Sequence, residues 1–524
     1  MQVECKQYKQ IKKSEASLSK KIVRNTLYTG MGRFWVMTVN FILTPYIVSK
    51  IGIEKFGIWV LAYAIIGFLS LIDFGTGNAC LKYISEYYAK KEYNRINEII
   101  STGLMINIIV GLLISMSLFL RYPIIDLFKF DPAYYDDVIF VLTLAIIFFA
   151  ISFICSIFKS VIDGLQRMDI TNKINIAVSI VNVIGVVIFL ELGYGLKGLI
   201  INSGILVVLT ISLNACFAYR LLPSLKINPK LIRLKRFKEV LKYGIKVHVS
   251  KIAVFINQQL DKVLLGHFVG IATVGFYGVG ARLSRLSRQV PMVLFPAIMP
   301  AASELDSVKD QKRLHALYMR GSRYLSSIVM PLFLFGFTIS YILVNLWMGR
   351  GYDTAVMVVR FLIVGFSVNV LTGIGTSIVR GVGRPEIETR YTILVAISNA
   401  ILSIILIIKM GLIGALIGTS VSLVVFSIYF MLVFHKEIIN ESYIEFVKKI
   451  YYKPFFISLI LCMIIGALNL ALERFFNLQN RLDYLAVLLL DIIVFGPLYF
   501  YFLFKTKYLE VNELKKLLKI AAQK

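Results

Sequence analysis

Apolar residues run along this chain in blocks near the roughly 20 residues that a helix needs to cross a bilayer, with short charged stretches between them. About fourteen blocks are legible, near 26–48, 56–74, 99–120, 138–158, 174–191, 196–218, 244–266, 272–296, 324–348, 354–379, 390–409, 411–434, 453–472 and 484–504. Glycine and proline inside several of them are ordinary for membrane helices, where neighbouring groups re-satisfy the backbone. The pattern predicts an all-α polytopic membrane protein, because in lipid each backbone N–H and C=O must be satisfied inside its own segment.

The polar positions that interrupt the blocks say more. Span eight reads GFYGVGARLSRLSRQVPMVLFPAIM and contains Arg282, Arg285 and Arg288. One arginine at the centre of a span costs roughly 2.5–3.5 kcal/mol, so three facing lipid would cost roughly 8–10 kcal/mol. They are therefore expected to face protein or water, with something anionic as the reason to keep them. Arg282, Arg285 and Gln289 share one helical face, and Arg288 lies beside it. Counted from the short loop at 267–271, Arg282 is about 15 Å into the span at 1.5 Å per residue, close to the midplane. Spans one and seven each carry a polar stripe. Gly30, Arg33, Asn40 and Thr44 share a face in the first, and His248, Lys251, Gln258 and Lys262 in the second.

Composition agrees with the membrane reading. Of 524 residues 58% are hydrophobic, and the mean hydropathy of +0.77 exceeds what a soluble fold of this size could cover. The net charge of +27 does not point to nucleic acid, because the cations are dispersed rather than gathered on one soluble face. They sit in the N-terminal tail (Lys6, Lys9, Lys12, Lys13, Lys20, Lys21), in the loop after span two (Lys82, Lys90, Lys91, Arg95), in RLLPSLKINPKLIRLKRFKEVLKYGIK and in the last tail. The opposite loops are short and poor in cations, and one of them, 122–137, is acidic (Asp126, Asp131, Asp136, Asp137). This asymmetry and the even span count place both termini in the cytoplasm and the chain in the cytoplasmic membrane, with anionic lipid headgroups as partners of the basic loops. The basic N-terminus leads into an apolar run too long for a signal peptide and reads as a first span. Loop 223–243, basic with Leu231, Ile232, Leu234, Val240 and Leu241, predicts a helix lying on the inner leaflet.

The chemistry of catalysis is missing from the pattern. The five cysteines (Cys5, Cys80, Cys155, Cys216, Cys462) have no paired spacing, so neither disulfides nor a metal site is expected, and no cofactor. No outer loop exceeds about 20 residues, too short for the acid–base groups of a membrane glycosyltransferase or polymerase, so the chain does not read as an enzyme. GIGTSIVRGVGR lacks the preceding strand and the Gly-Lys-Ser/Thr ending of a phosphate loop and reads as helix packing.

The two halves repeat. At a shift of 218 residues Gly52-Ile53-x-x-x-Gly57 meets Gly270-Ile271-x-x-x-Gly275, Ser85-Glu86 meets Ser303-Glu304, and Lys91-Glu92-x-x-Arg95-Ile96 meets Lys309-Asp310-x-x-Arg313-Leu314. At 217, Gly164-x-x-Arg167-x-Asp169-Ile170 meets Gly381-x-x-Arg384-x-Glu386-Ile387 and Asn182 meets Asn399. At 216, Gly195-Leu196-x-Gly198 meets Gly411-Leu412-x-Gly414. Six spans per unit, an even number, make spans one and seven run in the same direction. That implies two six-helix bundles related by a parallel pseudo-two-fold, with a shared central cavity, plus two C-terminal helices. The expected division is residues 1–222 as N-lobe, 223–440 as C-lobe and 441–524 as appendage and basic tail. The repeat pairs Arg33 with Lys251 and Asn40 with Gln258, while Ala64, Gly67 and Ser70 stand where the second half has its three arginines. The expected cavity is thus asymmetric, with its positive charge mainly from the second half.

Here the chain resembles a known group. NTLYTGMGRFWVMTVNFILTPYIVSKIGIEKFGIWVLAYAIIGFLSLIDFGTGNACLKYISEYYAK looks like the opening of Wzx-type polysaccharide-repeat-unit flippases, members of the multidrug/oligosaccharidyl-lipid/polysaccharide (MOP) exporter superfamily. LDKVLLGHFVGIATVGFYGVGARL and IVRGVGRPEIETRYTI look like the corresponding second-half blocks, so the resemblance covers nearly the whole chain. It implies movement of a polyprenyl-pyrophosphate-linked oligosaccharide, for O-antigen, capsule or a related polysaccharide, from inner to outer leaflet by alternating access. It also implies polysaccharide-assembly proteins as partners, and inward flow of protons or sodium as a driving force in relatives. A cationic cavity suits such a headgroup, since the planar fork of arginine binds two phosphate oxygens at once.

The expected substrate contacts are Arg33, Asn40, Lys251, Gln258, Arg282, Arg285, Arg288 and Arg360. Each cation has a structural alternative: pairing for the span-eight arginines, snorkelling for Arg33 and Lys251, and reach to outer headgroups for Arg360. Asp73 and Asp261 are the coupling or gating candidates. Their alternatives are a helix cap in DFGTGNA and a local salt bridge to the adjacent Lys262. His248 is titratable or structural, and Asp491 pairs locally. Two other transporters compete. A peptidoglycan-precursor flippase shares the span count and cationic cavity; a cation-coupled multidrug exporter needs buried carboxylates and the opposite cavity sign.

Overall fold

The computed structural model describes the backbone of residues 2–292, 295, 298–475 and 478–510, and their side chains apart from 2–29, 31, 33, 246–251 and 254. All elements among these residues are helical. The first are α1 (Gln2–Leu69), α2 (Thr76–Ala89), α3 (Tyr93–Met116), α4 (Arg121–Phe128), α5 (Tyr135–Gly164), α6 (Met168–Glu191) and α7 (Gly195–Leu221). Next come α8 (Leu234–Phe268), α9 (Ile271–Gln289), α10 (Ile298–Ser307), α11 (Gln311–Thr338), α12 (Ser340–Met348), α13 (Asp353–Leu371) and α14 (Gly373–Gly381). The last are α15 (Glu386–Met410), α16 (Leu412–Phe434), α17 (Tyr443–Phe446), α18 (Tyr452–Phe475) and α19 (Arg481–Lys505).

Among the described residues ten helical stretches are long and apolar enough to cross a membrane, or eleven if α11 and α12, bent by 68° at their junction, form one span. The expected count of about fourteen differs for physical reasons. Phe34–Ile72 is one stretch of 39 residues, about twice what a bilayer needs. Gly52 breaks it, at φ 81° and ψ 165°, a conformation that a residue with a side chain rarely adopts. α8 and α9 are long enough, but their charged residues keep them below the apolarity of the other spans.

The chain forms two compact units, Met1–Phe255 with Gly270–Gly275, and Ile256–Val269 with Phe276–Lys524. In the first, α5 packs on α3 and α7, and α1 on α6. A core of Ile96, Ile99, Ile100, Val161 and Ile162 fills the space between these helices. In the second, α15 and α16 pack as a hairpin and α13 lies on α16. Residues 441–524, expected as an appendage, contribute α18 and α19 to that unit's packing. Leu461, Ile465, Phe495 and Tyr499 make a core with Ile339, and the hydroxyl of Tyr499 donates to the Ser327 carbonyl at 3.0 Å.

The basic loop departs from expectation. The expected C-lobe begins at residue 223, whereas residues 223–245 pack with the first unit. Asn97 reaches across to this loop twice, donating to the Ser224 carbonyl at 2.9 Å and accepting from the Lys226 N–H at 3.1 Å. Arg236, at the start of α8, is buried. Its Nε donates to Glu98 at 3.0 Å and its Nη1 to Glu239 and the Tyr87 hydroxyl, both at 2.8 Å. These bonds tie the start of α8 to Tyr87 of α2 and Glu98 of α3. Gly244 continues the contact so closely that a Cβ there would meet the Phe74 carbonyl oxygen at 2.2 Å. Replacing Arg236 with alanine strands two part-buried carboxylates and is expected to destabilise the protein by about 3 kcal/mol, measurable as a lower unfolding temperature in detergent.

The repeat seen in the sequence reappears in the turns. Gly52 and Gly270, Lys91 and Lys309, Gln166 and Gly383, and Gly195 and Gly411 all have positive φ. Each pair is separated by one of the shifts that align the halves. The matched ion pairs Arg167–Asp169 (3.0 Å) and Arg384–Glu386 (3.3 Å) form in the corresponding turns, and Arg384 also binds Glu437 at 2.5 Å.

Candidate functional site

The second unit gathers its charge where α8 and α9 meet α15 and α16. Asp261, on α8, is 1% exposed. Its Oδ2 accepts from the hydroxyls of Tyr277 on α9 (2.8 Å) and Thr419 on α16 (2.6 Å), and its Oδ1 from Ser403 on α15 (3.2 Å). Asn399 extends the network. Its Oδ1 accepts from Ser403 (2.9 Å) and Thr419 (3.1 Å), and its Nδ2 donates to Asn257 at 2.8 Å. The three hydroxyl donors offset part of the cost of burying this carboxyl group.

The local salt bridge offered as the alternative for Asp261 does not form. Lys262, also buried, donates from Nζ to Gln259 Oε1 at 2.5 Å, and Asp261 stays within its electrostatic reach without an ion-pair contact. Lys262 also lies within electrostatic reach of Arg285 and Arg282, and Arg288 within reach of Arg285 and Tyr391. The three arginines of α9 are half-buried. Among the described residues no carboxylate lies within ion-pair distance of Arg285 or Arg288. The Arg288 guanidinium instead sits over the Phe366 ring at 5.4 Å. Cations with arginine forks, on neighbouring turns of one helix, form an arrangement suited to an anion with several oxygens.

The other expected site residues are scattered. Arg360 on α13 donates from Nε to Ser340 at 2.8 Å and lies over Phe337 at 5.7 Å, which ties it to the bend between α11 and α12. Asp73 Oδ1 accepts from both the N–H and the hydroxyl of Thr76 at 3.1 Å, which ties it to the first residue of α2, whose N-cap position is Gly75. Asn40 is exposed and bonds the Val36 carbonyl of its own helix at 2.9 Å; Gln258 is exposed. The side chains of Arg33, Lys251 and His248 lie outside the described residues. Asp491 pairs locally as expected, accepting from Asn469 at 3.0 Å.

Sequence reasoning missed Tyr277, Ser403 and Thr419. One signal was available: the match of Asn182 with Asn399. In the first unit Asn182 also takes a hydrogen bond from the following helix, from Asn202 Nδ2 at 2.9 Å. There the resemblance between the halves ends. At the same shifts Asp261 falls on Leu43, Tyr277 on Trp59 and Ser403 on Val186. Leu43 and Val186 are buried, so the first unit closes this point with apolar packing.

Comparison with known proteins follows this geometry. The model of the polysaccharide biosynthesis protein family matches residues 22–306. A putative O-antigen transporter from Shigella flexneri is 20% identical over 406 residues, 77% of this chain and 95% of that protein. A probable low-salt glycan biosynthesis flippase from Haloferax volcanii is 24% identical over 411 residues, covering 77% of this chain and 81% of its own length. Among solved structures, the lipid II flippase MurJ in an inward closed conformation aligns with a TM-score of 0.69 at 17% identity, over 92% of this chain and 99% of that one. The chain belongs to the polysaccharide biosynthesis protein family.

Proposed function

We propose that this flippase moves a polyprenyl-pyrophosphate-linked oligosaccharide from the inner to the outer leaflet by alternating access, and that Arg285 and Arg288, with Arg282 and Lys262, hold the pyrophosphate and first sugars. The observation that carries the reading is the pair Arg285 and Arg288, half-buried in a span with no carboxylate in ion-pair reach among the described residues. Buried cations are retained where an anion arrives to use them. The names of the O-antigen transporter and the glycan flippase support a glycan cargo. Asp261, hydrogen-bonded on both oxygens, is the group through which a proton or a sodium ion would couple to the cycle, because its charge is the one in this cluster that binding of a cation cancels.

Proteoliposomes loaded with the lipid-linked oligosaccharide test the reading. A lectin outside the vesicles should gain access to the glycan only where the protein is present, and an imposed proton or sodium gradient should change the rate. Faster movement of a peptidoglycan lipid precursor than of the oligosaccharide would move the assignment to the competing flippase.

A further inference from the structure

The end of the first unit that carries loop 122–137 is poor in cations, yet three converge there. Arg121 opens α4, Lys197 lies in the first turn of α7, and Lys55 follows the Gly52 break. Arg121 and Lys197 line a cavity of about 450 Å³ together with Asp136, Phe140 and Thr143. Those three α5 residues recur at helical spacing and so share one face. Ile139 and Leu144 complete the wall, which is charged at the Asp136 turn and apolar one to two turns further along the helix.

The charges in this cluster do not balance. Asp137, next to the lining Asp136, takes Lys55 at 3.1 Å and Lys197 at 3.6 Å. Arg121 has no carboxylate within ion-pair distance among the described residues; its Nη2 leans on the Tyr122 hydroxyl at 3.4 Å and its guanidinium covers that ring at 4.8 Å. On the wall itself two cations, Arg121 and Lys197, face one carboxylate, Asp136, which leaves one positive charge there. Two polar atoms on the wall are also buried without a partner, Arg121 Nε and Thr143 Oγ1. Both atoms are closed off from the cavity, so the polar groups left to meet a ligand are the outer end of the Arg121 guanidinium and the Lys197 ammonium.

We infer that this cavity binds the phosphodiester of one anionic membrane phospholipid. The single surplus charge matches a phosphodiester, and the volume falls in the range of small-ligand sites. A lipid is favoured over a free phosphate by what precedes Arg121: Met116, Phe119 and Leu120 are exposed, Phe119 by 81%, and offer acyl chains an apolar track leading to the cation. Arg121 and Lys197 hold the phosphate oxygens.

Native mass spectrometry of the detergent-solubilised full chain tests this with three probes: phosphatidylglycerol, diacylglycerol of the same chains, and glycerol phosphate. Wild type should retain phosphatidylglycerol, and R121Q/K197Q should retain it about tenfold less or weaker still. R121K/K197R should keep most of the binding. K197Q alone, at an exposed position where packing is not at stake, should weaken it about threefold. Diacylglycerol should bind wild type and R121Q/K197Q alike. Unchanged retention of phosphatidylglycerol in both K197Q and R121Q/K197Q overturns the inference. Displacement of the lipid by glycerol phosphate at equal concentration overturns it too, and assigns the cavity to a soluble phosphate.

Discussion

Replacing Arg285 and Arg288 together by glutamine is expected to abolish glycan export while leaving the protein inserted and at least as stable as before. Each charge-assisted hydrogen bond to a phosphate oxygen is worth about 1.5–3 kcal/mol, so losing two weakens headgroup binding by roughly a hundred- to ten-thousand-fold. Stability should move the other way. With no carboxylate partner among the described residues, these arginines bear the cost of their own desolvation in the empty protein, and glutamine removes it. Export falling as unfolding temperature holds or rises separates a binding role from a structural one. The measurement is complementation of a strain lacking its own flippase, read as surface polysaccharide, beside thermal unfolding of the purified variant. Normal export from R285Q/R288Q, or from the triple variant that includes R282Q, would sink the assignment.

Replacing Asp261 by leucine is expected to destabilise the second unit by roughly 3–6 kcal/mol. Tyr277, Ser403 and Thr419 all donate to this one side chain, and each buried hydroxyl left without its acceptor costs about 1–3 kcal/mol. Asn399 softens the loss, since it already accepts from Ser403 and Thr419. Among the described residues Tyr277 has no second acceptor, and it bears most of the loss. Asp261→Asn keeps an oxygen for these donors and should fold with a much smaller loss. What it should lose is the response to ions: flipping in proteoliposomes becomes indifferent to the imposed proton or sodium gradient. A gradient response in D261N equal to wild type removes Asp261 from the coupling path and leaves it a structural acid.

The sequence made the long-range plan readable because that plan is written in local periods. Gly52-Ile53 and Gly270-Ile271 marked the positions where the backbone takes positive φ, and Arg167-x-Asp169 and Arg384-x-Glu386 marked matching ion-paired turns. The arginines of α9 were legible as a charge that a span does not carry without cause. The surroundings of Asp261 were not legible, because its donors lie 16, 142 and 158 residues away and carry ordinary hydroxyls. The adjacent Lys262 suggested a salt bridge, but residues next to each other on a helix point in different directions, and the hydroxyls reach the carboxylate first. Arg236 misled for a related reason. Its amphipathic setting matched a surface helix, while its partner Glu98 lies 138 residues earlier in the chain.

The substitution of Leu43 and Trp59 for Asp261 and Tyr277 between the matched halves has a consequence for how this molecule tolerates change. A duplicated scaffold normally gives each position a spare, a second copy under similar constraint. At this point the copies have parted. Leu43 answers only to shape and accepts any apolar side chain of similar volume. Asp261 answers to three donors at once and has few acceptable neighbours in sequence space. The half bearing the polar network is therefore the brittle half, and variation in this transporter is free to accumulate in its twin.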